Sequence, residues 1–138
     1  MKRLLHTGTN DNYLDFLSLI LRVSIAAFML THGLGKLNLL FSGNEIQFAD
    51  PFGLGATFSL ALTVFAEVLC SILIGLGLLT RLASIPLIIT MLVAVFMIHA
   101  DDPFAKKEFA LLYLLIYLVV FVVGSRKFSL DYLLQKKK

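Results

Sequence analysis

Four apolar runs, separated by polar or glycine-containing breaks, set the pattern of this chain. They cover roughly residues 14–35, 57–79, 82–99 and 108–124. A helix needs about 20 residues to cross a bilayer, with about 17 the lower limit. The last two runs are short, so they are expected to stand nearly upright or to end among snorkelling side chains. The pattern predicts an all-α integral membrane four-helix bundle, built as a single domain over residues 1–138. Asp11 or Asn12 is the expected N-cap of the first helix, which should end near Gly33 and Gly35. Residues 38–56, with Asp50-Pro51 and the Gly53/Gly55 pair, make the longest connection. It is long enough to lie over the mouth of the bundle as a lid or a short interfacial helix. Thr80-Arg81 marks a tight turn, Asp101-Asp102-Pro103 a helix break and Gly124 a helix stop.

Composition turns this pattern into a statement about solvent. The chain is 59% hydrophobic and only 15% charged, where soluble domains run about 45–50% and about 25%. Mean hydropathy is +0.90. That much apolar surface requires lipid as its solvent, so the bilayer is the first partner. The first run does not read as a cleavable signal peptide: it is too long, it contains Arg22, and no small-residue cleavage site follows. Cys70 is the only cysteine and falls inside a predicted helix. An internal disulfide and a CxxC relay are thereby excluded, and with them a dithiol oxidoreductase working alone.

Charge sets the expected orientation. With four spans, both termini and the 80–83 turn share one side, which carries Lys2, Arg3, Arg81, Arg126, Lys127, Lys136, Lys137 and Lys138. The other side has Lys36, Lys106 and Lys107, offset by acidic residues. The positive-inside rule then predicts cytoplasmic termini in a multi-pass protein of a bacterial inner membrane. The net charge of +3 reads as a topology anchor facing anionic lipid. No aromatic interleaving points to nucleic acid.

The candidate chemistry lies where ionisable residues interrupt apolar helices. At about 100° per residue, Arg22, His32 and Lys36 fall within one half of the first helix. A membrane helix with its charges gathered on one side needs partners there. On the second helix, Ser59, Thr63, Glu67, Ser71 and Gly75 follow at four-residue intervals. Close helix packing explains the small and hydroxyl residues but not Glu67. Counting depth at 1.5 Å per residue from the expected helix ends puts Arg22 and Glu67 about 6 Å apart in height, so a buried Arg22–Glu67 ion pair is predicted. His32, Lys36, His99 and Glu108 fall near the outer boundary and are predicted to share one polar mouth, for quinone, substrate or proton handling. No metal is predicted. Haem or zinc at His32 and His99 is disfavoured because both lie at the edge of the apolar layer, and Met91 and Met97 read as packing residues.

Together these residues resemble the DoxX family of small bacterial membrane proteins, over nearly the whole chain. The resemblance is carried by Arg22, Phe28, His32-Gly33 and Lys36; by Glu67 and Gly75-Leu76-Gly77-Leu78-Leu79-Thr80-Arg81; by His99 and Glu108; and by Ser129-Leu130-Asp131. It marks Gly33, Gly75, Gly77, Arg81 and Asp131 as family-motif residues. It implies a four-helix membrane bundle and a link to quinone-coupled redox complexes, such as an archaeal thiosulfate:quinone oxidoreductase. The expected function is a redox-linked, quinone-interacting subunit whose polar cavity opens away from the cytoplasm. No autonomous redox motif is present, so a soluble or membrane redox partner must supply electrons. A non-catalytic anchor for a soluble redox enzyme, and a small-solute or proton transporter that would work as a homodimer, are the alternative readings.

Overall fold

The computed structural model describes residues 10–136. Lys2, Arg3, Lys137 and Lys138 of the expected basic side lie outside the described residues. The first helix, α1, runs over Asp11–Leu40 and is capped by the Asn10 side chain, which accepts from the Asn12 amide at 3.0 Å. It passes through Gly33 and Gly35 instead of ending there. Away from water a freed backbone hydrogen bond finds no substitute, so glycine loses much of its power to break a helix. The reversal comes later, where Gly43 takes a left-handed conformation at φ +72°.

The next helix, α2, spans Ala56–Leu76. Just before it, the Asp50 carboxylate accepts from the Leu54 and Gly55 amides and from Ser59 Oγ at 2.7–2.9 Å. This ties the long connection to the first turn. Gly77, at φ +70°, stops α2 three residues before the expected end. Helix α3 follows at once over Thr80–Ile98. Helix α4 covers Phe104–Val123; it starts earlier than expected because Pro103 needs no amide partner and leads directly into the first turn. A short helix, α5, occupies Leu130–Lys136, where the sequence suggested only a tail. Its start is marked by Ser129, whose Oγ accepts from the Tyr132 amide at 3.2 Å, a pattern typical of a helix cap.

Helices α1, α2 and α3 are each long and apolar enough to cross a membrane. Helix α4 is of similar length but opens with Lys106, Lys107 and Glu108. No strand occurs among the described residues. The outer surface carries Phe28, Phe58, Phe96, Leu115 and Val122, all exposed, while Arg22, Glu67, Ser71, Thr80 and Ser84 are buried. Apolar outside and partly polar inside is the arrangement expected of a protein dissolved in lipid. The apolar part of the interior is built from Ile25, Met29, Cys70, Ile74, Leu87, Met91 and Tyr117.

Glycine fixes how α1 and α2 meet. A Cβ on Gly33 would lie 2.8 Å from Val68 Cγ2, and one on Gly75 would lie 3.2 Å from Ala26 Cβ. Both contacts belong to one antiparallel register, in which residue 22 faces residue 79 and residue 67 faces residue 34. Arg22 and Glu67 are therefore about twelve residues apart along the axis, roughly 18 Å.

Candidate functional site

Glu67 is the centre of the site. It is 3% exposed and sits within Phe65–Cys70, a π-helical segment inside α2. Such segments are rare and recur at functional sites. The expected Arg22–Glu67 pair does not form. Instead Lys36 Nζ donates to Glu67 Oε1 at 2.5 Å. The register explains the exchange of partners. Lys36 stands two residues beyond residue 34, the position that faces Glu67, and its flexible stem closes the gap. Gly33 lets the two backbones approach closely at this level.

The ion pair lines a cavity of about 370 Å³ between α2 and α3. Its walls include Leu62, Ile89, Met91 and Val93, and Thr63 and Thr90 add hydroxyls. The 41–55 connection contributes Phe48, Pro51, Phe52 and Leu54 to its lining, the placement a lid would have. Asp50 holds the lid down. The Ser59 hydroxyl, together with the Gly55, Leu54 and Gly53 amides, keeps the Asp50 carboxyl below the usual range. A second π-helical segment, Ala94–Ile98, ends α3 on the far side of the cavity. Ala94, Ile98 and His99 all line it.

The predicted outer mouth is only partly assembled. Lys36 and His99 share the cavity; His32 and Glu108 do not line it. His99 Nδ1 meets Asp102 Oδ2 at 2.7 Å, and this bond is the main cause of an Asp102 carboxyl held below its usual range. His32 meets Tyr113 edge-on, with ring centroids 5.9 Å apart. Glu108 is exposed. Behind the ion pair, Tyr113 stacks on the fully buried Tyr117 at 6.2 Å. Neither the tyrosines nor the two π segments were marked as site features by the sequence. Tyr113 and Tyr117 one turn apart on α4 were the available signal, while the π segments leave no trace in composition.

Arg22 serves a separate node. Fully buried, it donates through Nη1 to the Ile74 carbonyl at 3.1 Å and through Nη2 to the Phe128 carbonyl at 2.5 Å. Gly77 lies directly against it, and a side chain there would collide with the Arg22 guanidinium and with Ser129. Asp131 closes the node: its amide donates to the Gly77 carbonyl at 3.0 Å, and its Oδ1 accepts from the Leu79 amide at 2.9 Å. This supports Leu79 at φ +50°, an unfavourable conformation for a leucine. Arg81 donates to the Val122 carbonyl at 3.1 Å and packs against Gly124. The family-motif residues Gly77, Arg81 and Asp131, with Arg22, thus tie α1, the α2–α3 turn and the C-terminal segment together, away from the cavity.

Fold and site define a helical membrane protein with a buried ion pair in a largely apolar cavity. The sequence pattern of the DoxX family matches residues 17–100, and the chain belongs to the DoxX family. A protein of Bacillus subtilis (strain 168), described as "Putative oxidoreductase CatD", is 31% identical over 117 residues, covering 83% of this chain and 84% of that protein. No solved structure matches the chain.

Proposed function

We propose that the protein is a redox-linked membrane subunit that receives a quinone headgroup in the Lys36–Glu67 cavity. In this reading α4 also spans the bacterial inner membrane, the termini are cytoplasmic, and the cavity opens to the other side. The observation that carries the proposal is the ion pair itself: a donor and an acceptor converge inside an apolar slot of about 370 Å³, a size typical of small-molecule sites. The similarity to a described oxidoreductase points the same way.

A bound quinone would supply two-electron, two-proton chemistry, with electrons from a partner protein's redox centre. The chain's own residues would do the rest. Lys36 donates a hydrogen bond to a headgroup oxygen, Glu67 gives or takes a proton beside it, and the 41–55 lid keeps water out. Leu62, Ile89 and Val93 give an isoprenoid tail an apolar path between α2 and α3.

The test is binding of ubiquinone and menaquinone analogues to purified protein in lipid nanodiscs. Wild type should bind one of them, and Glu67→Gln or Lys36→Met should weaken binding at least about tenfold, the loss of one charge-assisted hydrogen bond. Wild-type protein that binds neither would sink the proposal.

A second reading, an anchor for a soluble redox enzyme, is favoured by a polar depression of about 780 Å³ at the opposite end. Arg81, Arg126, Lys127, Asp131 and Gln135 line it. Co-purified partners that survive substitution of Lys127 and Gln135 by glutamate would count against it.

A further inference from the structure

Glu67 has two oxygens, and only one faces Lys36. Its Oε2 is buried and has no hydrogen-bond partner among the described residues. The same holds for Ser71 Oγ and Tyr117 Oη. These three belong to one place. Ser71 follows Glu67 by four residues on α2. The Tyr117 hydroxyl, from α4, lies beside Ser71 and within electrostatic reach of Glu67, and neither hydroxyl has a partner in good hydrogen-bond geometry among the described residues. The three side chains are 3%, 1% and 0% exposed. Buried polar atoms without partners are uncommon, and three together need a common explanation. A buried water needs two to four polar partners, and this cluster offers three.

We propose that Glu67 Oε2, Ser71 Oγ and Tyr117 Oη form an internal water site that makes Glu67 a proton-loading group, with Ser71 and Tyr117 as positioning residues. The site deepens the reading of Glu67 as the proton-handling group of the cavity, and rests on it. Water and both hydroxyls can each donate or accept. When Oε2 is ionised it accepts from the water. When Oε2 carries a proton it donates to the water, which turns its own hydrogens to the hydroxyl oxygens. One O–H bond on Glu67 forms or breaks, no electron moves, and Oε1 keeps its bond to Lys36 throughout. A lone carboxylate facing apolar walls would have no such second state at low cost. The titratable groups around Glu67 are Lys36 and His32 from α1, His99 from the end of α3, and Tyr113 with Tyr117 from α4. Only Tyr117, of these, shares the unpartnered cluster.

Infrared difference spectra of the full protein in lipid, recorded between acid and neutral pH in H₂O and D₂O, test this directly. The Glu67 bands are those lost in Glu67→Gln. Tyr117→Phe and Ser71→Ala should each shift these bands and slow their deuteration about five- to tenfold, the effect of one lost hydrogen bond. A packing role alone would change the melting temperature and leave the bands where they are. Unshifted bands with unchanged exchange in the two variants overturn the proposal. The spectra need no ligand, so shifted bands in a protein that binds no quinone would keep the water site and remove the quinone reading.

Discussion

At the scale of single residues, the protein separates the two cations within its first helix by task. Arg22 is committed to carbonyl oxygens and holds chain segments together. Lys36 is committed to Glu67, and its side chain is still 31% exposed. A guanidinium suits the first role because its donors fan out in a fixed plane, while a flexible ammonium suits the second. Removing Lys36 strands a buried carboxylate. Lys36→Met should therefore destabilise the protein by about 2 kcal/mol, below the ~3–5 kcal/mol of a fully buried pair because the lysine is partly exposed. Glu67→Gln in the same chain should restore most of that loss. Unfolding in detergent of both single variants and the double variant gives the coupling, and strict additivity would count against a stabilising pair.

At the scale of elements, turns and close approaches decide what the helices can do. Gly77 accepts a left-handed φ and leaves room for Arg22 and Ser129. Gly77→Ala meets both obstacles. It should cost at least about 2 kcal/mol from backbone strain alone, read as a lower melting temperature, with Asp131 released from the turn. The 41–55 lid hangs on Asp50. Its carboxyl is held below the usual range chiefly by the Ser59 hydroxyl. A group whose folded pKa is lowered contributes stability above its unfolded value, near pH 4, and loses it as pH falls through the folded value. The lid should thus stay closed at neutral pH and become protease-sensitive only below about pH 4. Asp50→Ala should open it already at pH 7, seen as faster proteolysis of residues 41–55. A lid equally resistant in the variant would show that Asp50 does not hold it.

At the scale of the whole molecule, the buried node of Arg22 and the cavity of Lys36 and Glu67 lie at opposite ends of the α1–α2 pair. A chain in the proposed orientation puts the cavity and its lid outside the cytoplasm. Single cysteines at Asn44 and at Gln135, in a Cys70→Ala background, report this with a membrane-impermeant maleimide on intact cells. Asn44→Cys should label and Gln135→Cys should not; the reverse pattern would invert the protein.

Much of this was legible in the linear sequence. The apolar runs determined that the chain is helical and dissolved in lipid, because no soluble core could absorb so many phenylalanines, leucines and valines. The placement of Glu67, Arg22 and Lys36 inside those runs marked them as residues that must find partners, because an isolated charge there is costly. What the runs could not supply was the partner. Hydropathy does not say how far one helix slides along its neighbour, and counting up from residues 14 and 79 as if both ends lay at one level put Arg22 close to Glu67 in height. Tertiary structure decided otherwise: the Gly33–Val68 and Gly75–Ala26 contacts lock one register, which carries Arg22 to the α2–α3 turn and Lys36 to Glu67. The lined cavity and the hydroxyl cluster behind the carboxylate exist only once α1 to α4 are packed, because each depends on atoms that meet across helices.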